Sequence, residues 1–365
     1  MEDVKAQLAL LTRVVTDLQK VVLELKAEIS ALRSQSSLPK AVEPLKAVEI
    51  PPATATSGPE IPDEPWTDAE AKTQAPCGST GKQLVKTPKI VAETDLTSRE
   101  KVELFAGLFA GRSDVYAPRW ASRTDAQKSG YSPKCTMRYT EGCSLKCHLC
   151  PHRAYEKVTA GTYYSHLKGD IVMGVYPLLT DNPCRFAVLD FDDSDWERDG
   201  KAVIKTARKH GIPLVPEISR SACGVHLWLF LSVPMQAAVV RRVLERLIAL
   251  TIADEGLLKL DSFDRIIPCQ DELPRGNSSI GNLVALPMQP EAKARGGSVF
   301  VDDDLNIIER PWRHLKQIRR MTPDEAESFL RNTGRASPLT ADGTAGAELL
   351  LETLPWERVT LTKPL

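Results

Sequence analysis

The chain lacks any apolar run long and uncharged enough to span a bilayer, and no early stretch has the layout of a signal peptide. Those absences exclude a membrane-spanning helix and point to the cytoplasm. The eight cysteines are then expected as reduced thiols or metal ligands rather than disulfides. An excess of one charge sign is also missing. The 47 Lys and Arg against 48 Asp and Glu leave a formal net charge of −1. Polyanion binding by bulk charge is therefore excluded, and any nucleic-acid contact must come from a local basic surface. With 365 residues, the chain has room for a sizeable core and more than one domain.

Glycine and proline are absent from residues 1–33, where Val4, Leu8, Leu11, Val15, Leu18, Val22, Leu25, Ile29 and Leu32 recur at alternating steps of four and three. This heptad seam, with Leu8, Val15, Val22 and Ile29 at a, predicts a coiled coil that self-associates as a dimer or, with Val14 and Val21 widening the seam, a higher oligomer. One amphipathic helix packed on its own domain is the alternative. Residues 34–95 are rich in Pro, Ala, Ser, Thr and Glu and read as a disordered linker. Order is expected again from about residue 96, with Thr97-Ser98 capping a helix.

Cys135, Cys143, Cys147 and Cys150 follow, the last two in the CxxC spacing of a zinc knuckle. Four thiolates complete a tetrahedral structural Zn²⁺ site; four buried thiols are the alternative. His148 and His152 are reserve ligands or surface side chains. Between Arg112 and Lys168, ten Lys and Arg stand against four acids. Tyr116, Trp120, Tyr131, Tyr139, Tyr155, Tyr163 and Tyr164 are interleaved with them. Basic plus aromatic side chains suit single-stranded nucleic acid, through phosphates and base stacking. A solvated basic face over a small aromatic core reads equally well.

Phe186–Asp193 is an apolar run ending in carboxylates. In a strand, Asp190 and Asp192 share a face. Two carboxylates held close repel each other, and a hard cation such as Mg²⁺ or Mn²⁺ relieves that repulsion. The bland reading is a polar strand end entering a helix cap at Asp193 or Ser194. A strand at 185–191 is followed by a helix at about 195–210, a strand at 213–219, a turn at 221–224 and a strand at 225–231. A helix at about 236–252, a short apolar piece at 262–267 and a last strand at 282–287 complete a βαββαβ order. That topology makes the first and third strands antiparallel neighbours, so Asp190 and Asp192 lie beside His226. It also brings Asp264 toward the same edge, unless Asp264 serves as a loop cap or pairs with Arg265.

Several segments in order now carry a family likeness: LFAGRSDVYAPRW (108–120), the Cys135–Cys150 knuckle, HLKGDIVMGVYPLL (166–179), AVLDFDD (187–193), SRSACGVHLWLF (219–230) and FDRIIPCQDELPRGNSSIGNLVALPMQ (263–289). Residues 98–290 resemble the archaeo-eukaryotic primase superfamily, most of all the primase-polymerase domain of TOTE conflict systems and CRISPR-associated primase-polymerases. The resemblance implies an α+β catalytic core over residues 96–320, an α/β module on an RRM-like module. Residues 321–365 read by themselves as a helical and tether segment, with a helix at 322–333 and a Gly-, Ala- and Thr-rich run at 334–347. The resemblance also implies two-metal nucleotidyl transfer from (d)NTPs on single-stranded DNA. Asp190, Asp192 and Asp264 match the metal-binding acids, and Ser221 and His226 the triphosphate-holding motif. Ser219, Arg220, Gly224, Gln270 and Asn282 match further nucleotide or template contacts. Where the family has Gly-Asn this chain has Ala222-Cys223. The helicase that often accompanies such a domain has no counterpart in the chain; it or another replication or defence protein stands as a further partner.

A gap-filling or end-joining polymerase of the same fold and a non-catalytic nucleic-acid adaptor are the alternatives. A metal-dependent nuclease fits the acids but not the SxxGxH turn. A haloacid-dehalogenase-type phosphatase expects a threonine where this chain has Ser194.

Overall fold

The computed structural model describes residues 61, 93 and 95–334, with interruptions at 123, 126–127, 141–142, 144–149, 151, 257–259 and 274–279. The chain divides into two units, residues 1–54 and 55–365. The predicted coiled coil at 1–33, nearly all of the predicted linker at 34–95, and Cys147 lie outside the described residues.

In chain order the elements are α1 (Ser98–Leu108), β1 (Ala117–Ala121), β2 (Ser129–Tyr131), α2 (Ala160–Lys168), β3 (Met173–Val175), β4 (Pro183–Asp192), α3 (Trp196–Lys209), β5 (Leu214–Ile218), β6 (Gly224–Gln236), α4 (Ala237–Asp254), β7 (Phe263–Ile267), β8 (Val284–Ala285), α5 (Pro290–Lys293), β9 (Val299–Phe300), α6 (Pro311–Lys316) and α7 (Pro323–Gly334). Two sheets result, with strand orders β2-β1-β3-β8 and β7-β4-β6-β5-β9. The residues that start α1 act as a reciprocal cap: the Thr97 hydroxyl accepts from the Glu100 N–H, and the Glu100 carboxylate accepts from the Thr97 N–H at 2.8 Å.

Alternation along β4 and β6 explains why the larger sheet is buried on both faces. Ala187, Leu189, Phe191, Leu227 and Leu229 belong to the core shared with side chains of α3, α4 and α7. Phe186, Val188, Trp228 and Phe230 belong to a second core with Phe105 and Phe109 of the α1 region and Trp312 of α6. There Phe109 meets Trp228 edge-on at 4.9 Å, and Trp228 stacks parallel to Phe230 at 6.0 Å between centroids. Each such side chain, fully buried, contributes on the order of 1.5–3 kcal/mol. Asp190, Asp192 and His226 continue the second stripe, so their side chains end the aromatic face of the sheet.

The topology corrects one expectation. The fourth strand of the βαββαβ unit is β7 at 263–267, which pairs antiparallel with β4. The expected strand at 282–287 shrinks to β8 and pairs with β3 in the other sheet. The apolar piece at 262–267 is short, but Ile266 and Ile267 both find buried partners, one on each face. The basic and aromatic segment also splits. Tyr116, Tyr163 and Tyr164 are buried in the second core and offer no stacking surface, whereas Trp120 and Tyr139 are exposed. Arg112 is forked onto Asp114, at 2.9 Å from Nε, and is not free for phosphate.

Candidate active site

Strand register assembles the site. Asp190 lies opposite His226 and Asp192 opposite Gly224 on β6. On the other side, Asp190 pairs with Arg265 but Phe191 pairs with Phe263, so Asp264 is the extra residue of a β-bulge. In a regular ladder Asp264 would take the face opposite to Arg265; a bulge re-aims the side chain it inserts. Carboxylate oxygens of Asp190, Asp192 and Asp264 accordingly all lie within 4.8 Å of one another. Asp190 is buried, Asp192 half-buried and Asp264 exposed.

The negative charge of the three acids is only partly balanced within the protein. Burial pushes the Asp192 carboxyl above its usual range, and the charges on Asp190 and Asp264 add to that rise while His226 opposes it. Asp190 Oδ1 is buried without a hydrogen bond. His226 Nε2 lies 3.4 Å from it, as an ion pair. Three clustered carboxylates, one with a buried oxygen that has no hydrogen bond and only one imidazole beside it, are what a hard divalent cation satisfies, so the donor set fits Mg²⁺ or Mn²⁺. Arg265 partly answers the charge: its Nε donates to Asp264 Oδ2 at 2.5 Å and lies 3.9 Å from Asp190 Oδ2. The ion pair expected as the plain alternative for Asp264 is thus present beside the cluster, on a half-exposed arginine.

Behind the acids sits Glu217 of β5, fully buried and in register with His226. Its Oε2 accepts from His226 Nδ1 at 2.7 Å and from Trp228 Nε1 at 3.2 Å. Burial alone would strip the proton from His226, but the charges of Glu217 and then Asp190 outweigh it and raise its pKa to about 10. His226 is therefore an imidazolium clamped by a carboxylate. Sequence reasoning missed Glu217. Its signal was a lone acid in Leu214–Ile218, an otherwise apolar strand.

The turn joining β5 to β6 carries the remaining candidates. The Ser219 hydroxyl lies 2.9 Å from that of Ser221, which accepts from the Cys223 N–H at 3.2 Å. Ala222 adopts φ +61°. Gly224 has an ordinary φ; a Cβ there would run into Asp192 Oδ1 and the Phe191 carbonyl, so it is close approach that requires glycine. Gly297 buttresses the turn from outside, where a Cβ would sit 2.7 Å from the Ser219 carbonyl and 2.8 Å from that of Arg220. Arg220 extends toward β1: burial and then the Arg220 charge lower the pKa of Arg119. Gln270 and Asn282 are half-buried, and Gln270 Oε1 has no hydrogen bond. No hydrogen bond or ion pair among the described residues ties either of them to the aspartates.

A family model described as the archaeo-eukaryotic primase domain of TOTE conflict systems matches residues 100–329. The chain belongs to that family. The matched span holds every element of this primase domain from α1 to α7 in whole or in part, including all three aspartates. Among solved structures, the polymerase domain of Mycobacterium tuberculosis ligase D in complex with DNA is similar at 13% identity and a TM-score of 0.30, over 70% of this chain and 96% of that one. No curated protein matches the chain. A mixed helix and sheet core with an acidic site suited to divalent cations, in a family of primase domains, supports nucleotidyl transfer as the reaction class. No helix among the described residues is long and apolar enough to cross a membrane.

Proposed function

We propose that the protein is a DNA primase-polymerase that joins (d)NTPs on a single-stranded DNA template. The observation that carries this reading is the convergence of Asp190, Asp192 and Asp264, with a buried oxygen that has no hydrogen bond, beside the imidazolium of His226. Asp190, Asp192 and Asp264 would hold two Mg²⁺ or Mn²⁺ ions. Bound there, the ions supply activation of a 3′-oxygen and stabilisation of the departing pyrophosphate.

The chain's own contribution is charge and position. His226, held by Glu217, offers a fixed positive charge to a triphosphate. The Ser221 hydroxyl and the Arg220 guanidinium sit on the adjoining turn and add hydrogen bonds and charge. Gly224 leaves Asp192 the space it occupies. Ser219, Gln270 and Asn282 are assigned to nucleotide or template contacts on family resemblance.

The same proposal gives Cys135, Cys143, Cys147 and Cys150 a structural Zn²⁺. Among the described residues it is supported by the Ala154 N–H donating to Cys135 Sγ at 3.4 Å, since amide donors of this kind stabilise thiolate ligands. Residues 1–33 would join copies of the chain, and a helicase or other replication or defence protein would supply duplex opening.

Labelled-nucleotide incorporation on single-stranded DNA without a primer tests the function. The wild type is expected to incorporate. Asp190→Ala with Asp192→Ala is expected to lose at least about 10³-fold, because the charge-bearing ligands are gone. Incorporation by the double variant at the wild-type rate would remove these acids from the mechanism. Incorporation only when a primer is annealed would identify a primer-extending enzyme of the same fold.

A further inference from the structure

Asp199 lies in the first turn of α3 with its carboxylate fully buried, a costly place for a charge unless every lone pair is used. Its bonds run in two directions. Oδ1 accepts from Arg198 Nε at 2.9 Å and Nη2 at 2.8 Å. Oδ2 accepts from both the backbone N–H and the hydroxyl of Ser262, at 3.1 and 2.8 Å. Ser262 is the residue just before β7, and it is buried too. Its carbonyl accepts from the Asp192 N–H at 2.9 Å. One carboxylate on a helix therefore grips the residue that bridges β4, at Asp192, to the start of β7, two positions before Asp264.

The grip sits where the ladder is irregular. The register shift falls between Asp190 and Phe191, and its consequence is the placing of Asp264 among the acids. A bulge leaves its extra residue without a ladder partner, so a bond from outside the ladder is what can hold it in one orientation. The helix that provides it is itself fixed against β6, because a Cβ on Gly200 would lie 2.8 Å from Val225 Cγ1, one residue from His226. A regular ladder needs no such clamp, and a buried carboxylate is an expensive way to tie down a loop.

We infer that Asp199 is a positioning residue for the divalent-cation site, acting through Ser262 to hold Asp192 and Asp264 at ligand spacing. The inference rests on the reading of the three aspartates as that site. Residues that orient metal ligands through hydrogen bonds typically alter metal affinity by about 10–100-fold when removed. Asp199→Asn keeps the shape but turns one acceptor into a donor facing the Ser262 N–H or the Arg198 guanidinium. Ser262→Ala deletes only the hydroxyl bond.

The test is Mn²⁺ binding to the full chain, read by the loss of the free-ion electron paramagnetic resonance signal, with thermal unfolding followed in chelator. Asp199→Asn is expected to weaken Mn²⁺ by at least about tenfold, and Ser262→Ala by about threefold, the size of one net hydrogen bond. Unfolding of Ser262→Ala should stay near the wild type, and excess Mn²⁺ should restore incorporation in both variants. Weakened binding in both, with Asp190→Ala abolishing it, supports the inference. Wild-type affinity in both, whatever the unfolding midpoint, overturns it while Asp190→Ala still removes the site. Wild-type binding that Asp190→Ala leaves untouched overturns the cation-site reading as well. Where Asp199→Asn does not fold, Ser262→Ala decides alone.

Discussion

Two buried histidines face opposite solutions to the same problem. His166, on α2, donates from Nε2 to the Pro287 carbonyl at 2.9 Å and accepts at Nδ1 from the Met173 N–H at 3.2 Å. A ring that donates at one nitrogen and accepts at the other is neutral, and burial lowers its pKa to about 4. His226 is almost as deeply placed, yet it faces Glu217 and Asp190 and is raised to about 10. Burial does not set the charge; the partners do. Around His166 both ring nitrogens are partnered, and the left-handed position ending α2 is held by Gly169. Around His226 an oxygen of Asp190 has no hydrogen bond, and the left-handed positions are held by Asp193, Asp195 and Ala222. Such concentration of unmet charge and backbone strain is expected where a ligand is to complete the structure.

The contrast breaks most severely at Glu217. Glu217→Gln keeps the bond to Trp228 but removes the larger of the two charges that hold the imidazolium, leaving only Asp190 at 3.4 Å. Breaking one partner of a buried ion pair costs about 3–5 kcal/mol. Urea unfolding of the variant should show a loss of that order. The nucleotide KM should rise by roughly tenfold or more, since a ring held only by alignment no longer presents a fixed charge. Unchanged stability and KM would mean that Glu217 and His226 do not act as a pair.

At His166 the same contrast is read by pH. The folded-state pKa lies below the unfolded value of about 6.5, so the unfolded chain binds the extra proton first. Stability from this group is complete above about pH 6.5 and is lost as the pH falls toward about 4. The drop is about 2.5 pKa units, or about 3 kcal/mol at 1.36 kcal/mol per unit. His166→Gln, which can donate and accept but cannot be protonated, should flatten that part of the stability profile. Hydrogen exchange of the Met173 amide between pH 7 and pH 4.5 checks it locally.

The pattern of the sequence discloses the large elements and hides the small corrections. The apolar run ending in Asp190 and Asp192, the helix stopped before Gly211, and the long strand through His226 all follow from periodicity and turn residues. Hence the pairing of the first and third strands of the unit could be deduced. The bulge that turns Asp264 inward depends on a one-residue register shift, and nothing in Phe263-Asp264-Arg265 announces it. Glu217 escaped because its partner His226 lies across the strand pair, nine residues on, and strand pattern alone does not announce such a bond. The two-residue β8 escaped because the apolar stretch around it reads as a longer strand, while its actual partner, β3, is a three-residue segment more than a hundred residues earlier. Tyr163 and Tyr164 read as stacking residues by composition, but their helix faces the second core.

The smallest effects sharpen the comparison of backbone strain. An L-residue in the left-handed region costs about 1–2 kcal/mol, and alanine in place of glycine recovers about 0.5–1 kcal/mol through the unfolded chain. At Gly169, φ +91°, a Cβ meets only Pro290 at ordinary contact distance, so backbone strain alone decides. Gly169→Ala should destabilise by about 0.5–1 kcal/mol. Ala222→Gly should stabilise by about the same amount, provided the turn keeps its shape. That turn is already fixed by the Ala222 N–H bonded to the Ser219 carbonyl at 2.9 Å and by Gly297 against its outer side, so the added freedom should not loosen it. Thermal unfolding gives the sign of each change. A matched pair of opposite signs shows that strain is relieved at one site and carried at the other. If Ala222→Gly instead destabilises, the turn draws its rigidity from the alanine itself, and the nucleotide KM should rise with it.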